Sequence, residues 1–274
     1  TADTNSNGSN TLAVTGAPTA GAITLSGTGT GDTIDINASV SATTGALTIQ
    51  NAALADLADS VNLTGAGVSI TATTLNLSGA DASTNTISST GDANTISLPS
   101  VTATNNPNLT LQSQGDLTIG STINIGTGTL SATVDTNNNG SNTLAVNGTP
   151  TAGAITLSGT GTGDTIDINV DVSTAGALTI QNAARVDLAA NVDLSGGSVA
   201  ANSGVTEIRL TGAGTNTVTG TAGSVNLGPV IDSANANLTV SATTDVTLVA
   251  VTLNDGRALW VTPVSDANRT NTLQ

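Results

Sequence analysis

The chain has 274 residues and a formal net charge of -15, with 19 acidic groups against four basic ones and no histidine, cysteine or methionine. That balance argues against nucleic acid, whose binding draws on Lys and Arg set against phosphates, and against an anionic membrane surface. Without Cys or His there is no disulfide scaffold, no thiolate–zinc site and no nucleophile–histidine triad.

From the N-terminus, short segments recur in which two aliphatic residues flank one Thr, Asn or Asp. They are AITLS (22–26), TIDIN (33–37), ALTIQ (46–50), SVNLT (60–64), TLNLS (74–78), TISL (95–98), LTLQ (109–112), LTI (117–119) and INI (123–125). This period-2 pattern predicts strands with one buried and one wet face, separated by Gly, Asn, Ser, Asp and Ala in turns. NAALADLADS (51–60) reads as a turn and short strand, with one helical turn as the lesser alternative.

The pattern then starts again. DTNSNGSNTLAV (3–14) returns as DTNNNGSNTLAV (135–146), and GAITLSGTGTGDTIDIN (21–37) returns unchanged at 153–169. The units are therefore 1–134 and 135–264, and SDANRTNTLQ (265–274) reads as the start of a third, as in a piece of a longer tandem array. All four cations, Arg185, Arg209, Arg257 and Arg269, follow residue 184.

Strands with only two or three inward residues, and no aromatic before Trp260, predict an all-β solenoid that stacks like on like. Parallel crossover rules make it a right-handed parallel β-helix. A unit of about 130 residues divides into about six coils of some 22 residues. The fourteen-residue spacing of Leu47, Val61 and Leu75 fits sides of a coil better than whole coils. Trp260 aligns with Ser131 of the first unit and is expected to plug the core near a unit junction.

Strings such as GAITLSGTGTGDTIDINASV and GALTIQNAALADLADSVNLTGAG resemble the repeat regions of large secreted filamentous haemagglutinin-like bacterial adhesins. The resemblance spans nearly the whole chain and rests on composition and spacing. It implies a right-handed β-helical shaft, an extracellular or bacterial cell-surface location, and a structural spacer in which neighbouring repeat units are the main partners. An isolated two-unit piece is expected to be a monomer. The alternatives are an adhesive module binding a cell-surface glycan or protein and, behind it, a β-helical polysaccharide-degrading enzyme.

Candidate sites are few. GTGTGDTID (27–35 and 159–167) partly matches the calcium nonapeptide G-G-x-G-x-D-x-U-x, with Thr where two glycines belong. It nominates Asp32, Asp35, Asp164 and Asp167 as weak calcium ligands against a plainer role as tight turns. Arg257 and Trp260 form the one cluster of unusual residues and the candidate ligand patch, with Arg269 beyond them. For catalysis no residue is nominated. The carboxylate pairs Asp56–Asp59 and Asp32–Asp35 have glycosidase-like composition, but Asp59 becomes Ala190 in the second unit. Glu207 and Arg209, two apart, read as a surface pair.

Overall fold

The computed structural model describes residues 1, 8–28, 31–161 and 163–263. The start of the third unit and Arg269 lie outside the described residues.

The first unit opens with β1 (Thr11–Val14), β2 (Thr19–Ala20), β3 (Ile23–Ser26), β4 (Thr33–Ile36), β5 (Val40–Ala42) and β6 (Leu47–Gln50). It continues with β7 (Leu54–Leu57), β8 (Asn62–Gly65), β9 (Val68–Ile70), β10 (Thr74–Leu77), β11 (Thr84–Ser89) and β12 (Ile96–Ser97). It closes with β13 (Ser100–Ala103), β14 (Asn108–Ser113), β15 (Leu117–Ile119), β16 (Ile123–Asn124) and β17 (Thr129–Thr133). The second unit opens with β18 (Thr143–Val146), β19 (Pro150–Ala152), β20 (Ala154–Ser158), β21 (Thr165–Ile168), β22 (Val172–Thr174) and β23 (Ala177–Gln181). Then come β24 (Arg185–Leu188), β25 (Asp193–Gly196), β26 (Ser198–Ala201), β27 (Glu207–Leu210), β28 (Gly214–Gly220) and β29 (Val225–Leu227). The last are β30 (Val230–Asp232), β31 (Ala236–Ala242), β32 (Val246–Leu248), β33 (Val251–Thr252) and β34 (Leu259–Pro263).

Every third strand pairs, in parallel, with the one a coil below. A 12-stranded sheet runs β1, β4, β7 and so on to β34, and an 11-stranded sheet runs β2, β5, β8 to β32. The third face is split into a four-stranded sheet, β3 to β12, and a seven-stranded sheet, β15 to β33. The split follows β12, which pairs with β9 but not with β15. The molecule is thus a three-sided parallel β-solenoid of about eleven coils. No helix among the described residues is long and apolar enough to cross a membrane.

The alternation read from the sequence is the alternation of the faces. On the first face Ile34 and Ile36, then Ala55 and Leu57, then Leu75 and Leu77 stack inward as successive rungs, each essentially buried. Residues 54–57 are strand, not helix: Leu54 and Asp56 turn outward while Ala55 and Leu57 enter the core. The fourteen-residue spacing crosses two of the three sides, since Leu47 lies on β6, Val61 precedes β8 and Leu75 lies on β10.

The unit differs from the expected six coils. TLAV is β1 in one copy and β18 in the other, TIDI is β4 and β21, and LTIQ is β6 and lies within β23. The repeat is seventeen strands, five and two-thirds coils, so it ends one side short of six turns. TLAV and TIDI accordingly lie on the first face in one unit and on the third in the next.

Candidate functional site

The repeated GTGTGDT segments form solenoid corners. Asp32, on the corner between β3 and β4, is fully buried. Its Oδ1 accepts the Asn10 amide at 3.0 Å from the coil below, and its Oδ2 accepts the Thr28 amide at 2.9 Å. Asp164 repeats this between β20 and β21: Oδ1 accepts from Asn142 N at 2.9 Å, and Oδ2 from Thr160 N at 2.8 Å and Gly161 N at 2.9 Å. Charge-assisted bonds to backbone amides are the strong kind, and here they tie one coil to the next. Gly27 and Gly159 are required because a Cβ there would strike the carbonyls of Asn51 and Asn182 in the adjacent coil. Both Asn51 (φ 56°) and Asn182 (φ 54°) turn these corners in the left-handed region, which Asn tolerates.

Asp35 and Asp167 do not join that arrangement. They alternate outward on β4 and β21, beside Asp56 and Asp187 respectively. Asp56 accepts the Asn76 side-chain amide at 2.7 Å, and Asp59 accepts the Ala80 backbone amide. The fold therefore sets Asp35 next to Asp56 and separates Asp32 from Asp35. Among the described residues no three carboxylates gather around one point.

In the second unit the same outward columns carry charges of both signs. Arg185 and Asp187 on β24 face Glu207 and Arg209 on β27 in register. Arg185 Nε lies 2.9 Å from Asp187 Oδ2, and an Arg209 terminal nitrogen lies 2.6 Å from Glu207 Oε1. Burial pushes the Asp187 carboxyl above its ordinary value, although Arg185 beside it pulls the other way. Asp232, buried at the end of β30, goes in the other direction. Burial acts to raise it, but amides led by Ala236, Ala234 and Asn254 outweigh that and hold it low.

Trp260 does not plug the core. Its register partner on β31 is the outward Thr239, and the indole is 51% exposed. Arg257 is exposed on the turn before β34. Leu259 and Val249, also exposed, belong to the last coil, above which no described strand stacks. The space between the core side chains of the second unit, around Val186, Leu194, Leu210 and Leu238, is about 10 Å³, which leaves no ligand chamber there.

Sequence reasoning missed two kinds of buried polar group. Asn85 and Asn216 occupy equivalent inward positions, and their Oδ1 atoms accept the amides of Val61 at 2.9 Å and Val192 at 2.8 Å. Both lie in a TNT triplet (84–86 and 215–217), which reads as ordinary strand alternation. Asp135, fully buried in the loop between β17 and β18, is the other.

Fold and corner chemistry together define a three-sided parallel β-solenoid whose coils are locked by buried carboxylates and amides. Compared with known proteins, the chain matches no family model, no curated protein and no solved structure.

Proposed function

We propose that the chain is a spacer, a shaft segment that sets distance outside the bacterial cell and performs no catalysis. The observation that carries this reading is the unbroken passage from one unit to the next. β15, β16 and β17 pair with β18, β19 and β20 in the same parallel register that joins coils within a unit. Leu117 and Ile119 meet Leu144 and Val146 there, all buried, so the core runs through the boundary without a hinge of polar residues. Each coil adds about 4.8 Å along the axis, so a unit adds roughly 27 Å. Continuous backbone pairing supplies stiffness, and the net charge of -15 keeps neighbouring shafts apart. The location follows from the likeness to secreted adhesin shafts in composition and spacing.

Small-angle X-ray scattering of this chain and of a four-unit version tests the reading. The expected result is a constant cross-section and an added length of roughly 27 Å per unit. Particles that grow in all dimensions would refute it.

One observation favours a second reading, an adhesive module: Trp260 is half-exposed and Arg257 lies three residues before it on the surface. Aromatic and Arg side chains dominate binding hot spots. That reading requires a glycan or protein ligand whose binding is lost in Trp260→Ala and Arg257→Ala, and retention in both would end it.

A further inference from the structure

We infer that the loop joining the two units binds a hard divalent cation, calcium, through Asp135 Oδ2, Asn138 Oδ1 and the Gly140 carbonyl, in the hollow beside Gly161. Residues 135–140 read DTNNNG, the D-x-N-x-N-G spacing with which many calcium loops begin. Only its Asp is used in the usual way, since Asn137 and Asn139 turn their side-chain amides to Asp92 and Asn138 faces Asp135 instead. In such loops oxygen side chains wrap the ion and the glycine makes the sharp turn. Asp135 (φ 53°) and Asn138 (φ 52°) both adopt left-handed backbone, which folds the loop back on itself.

The decisive observation is the Asp135 side chain. It is fully buried, and only one of its oxygens is used: Oδ1 accepts the Asn139 amide at 3.0 Å. Oδ2 is buried with no hydrogen-bond partner. It does not point into apolar packing. A Cβ built on Gly161 would stand 2.8 Å from Asp135 Oδ2, 3.0 Å from Asn138 Oδ1 and 3.4 Å from the Gly140 oxygen. Three acceptors thus gather against the face of Gly161, so close that no side chain larger than hydrogen would fit there.

Oxygens so placed repel one another unless a donor or a positive group lies between them. The buried oxygens of Asp164 are met by backbone amides, whereas Asp135 Oδ2 has no such donor. Among the described residues the ion pairs are Arg185–Asp187 and Arg209–Glu207, and no basic side chain is paired with Asp135. The first 184 residues contain no cationic side chain, and Arg185 is engaged with Asp187. Neighbouring carboxylates deepen the negative field. Asp164 holds the Gly161 amide at 2.9 Å. Asp92, from an earlier coil, accepts the side-chain amides of Asn137 at 2.7 Å and Asn139 at 2.9 Å.

Calcium fits better than magnesium, because an irregular set of carboxylate, amide and carbonyl oxygens completed by water is its ordinary shell. The bidentate Glu that closes an EF-hand loop is absent, its place being taken by Val146. Affinity therefore belongs with extracellular modules, a Kd on the order of 0.1–1 mM. Bound there, the ion would tie the inter-unit loop to the Thr160–Asp164 turn of the next coil and brace the joint. The same spacing recurs in sequence at 3–8, DTNSNG.

The test is calcium binding by the whole chain, measured by isothermal titration at constant ionic strength after chelator treatment, with magnesium as the control. Asp135→Asn removes the charge and sets an amide donor among the oxygens. Asn138→Gly removes an exposed ligand and keeps the left-handed backbone available. Both are expected to fold, as circular dichroism in chelator will report. The inference requires saturable calcium binding in the wild type, weaker binding of magnesium, and one ion fewer per chain in each variant. No saturable binding in the wild type, or an unchanged ion count in either folded variant, would overturn it.

Discussion

The two units share an unbroken run of seventeen identical residues, yet much of that string faces different directions. TIDI of 33–36 lies on the first face and TIDI of 165–168 on the third. The strand is unaffected because its surroundings travel with it. β4 lies between β1 and β7, and β21 lies between β18 and β24, which are the matching strands of the other copy. Stacking along the axis, not the side of the prism, decides what a position must be. The copies differ at outward and inward positions alike, as where buried Ala42 becomes buried Thr174, but on the strand next to TIDI the outward residue changes character and the inward one only size. Leu54 becomes Arg185 at an outward site, whereas inward Ala55 becomes Val186.

The comparison can be broken most severely at the corners. Asp164→Ala would leave three backbone amides without their acceptor and is expected to cost at least about 4 kcal/mol by urea unfolding. Asp32→Ala should be comparably damaging, and a mild effect in either would show that the corner carboxylates are not the locks between coils. Next come the cores. Ile34→Ala and Ile166→Ala remove the same side chain from different faces and should each cost about 3 kcal/mol. Ile166→Ala should cost somewhat more, because Val186 stacks on it where Ala55 stacks on Ile34. Since repeat arrays can unfold in parts, both need probes of each unit.

Smaller effects separate the acidic groups of the second unit. Asp187 has a raised folded-state pKa, so its contribution favours the native state in acid and turns into a penalty as pH rises through that pKa. Asp232, with a lowered pKa, contributes stability at neutral pH that is lost as pH falls through its folded value. Asp187→Asn should therefore leave the neutral-pH melting temperature unchanged or higher, and Asp232→Asn should lower it. Both differences should shrink on titration into the carboxylate range, and a melting series against pH checks this. Least of all, Arg185→Leu restores the first unit's residue at a partly exposed ion pair and should cost about 1 kcal/mol or less.

Much of this architecture was legible in the sequence. Alternation in segments such as TIDIN and ALTIQ placed the strands, because a narrow solenoid writes its inward and outward positions directly as period two. The length of a coil was also legible as an average. The phase was not, because corners vary: Leu54 pairs with Thr74, twenty residues on, while Ile123 pairs with Pro150, twenty-seven on. Dividing the unit by a mean coil therefore gave six coils where seventeen sides exist. Trp260 was misplaced inward because large aromatics usually seek cores, whereas its register on β34 is the outward one. The role of Asp32 and Asp164 was hidden since their partners are amides, Asn10 and Asn142 among them, which carry no sequence signature. Asp135 did carry one, the DTNNNG spacing, but only its unpartnered oxygen beside Gly161 separates it from a common turn.

The most direct test of the central claim is electron cryomicroscopy of a chain of twelve units. Seventeen sides per unit require successive units to rise by roughly 27 Å and rotate by about one third of a turn, with the true repeat near 80 Å after three units. A rise of roughly 29 Å with no rotation between units would mean six whole coils per unit, and would contradict the account.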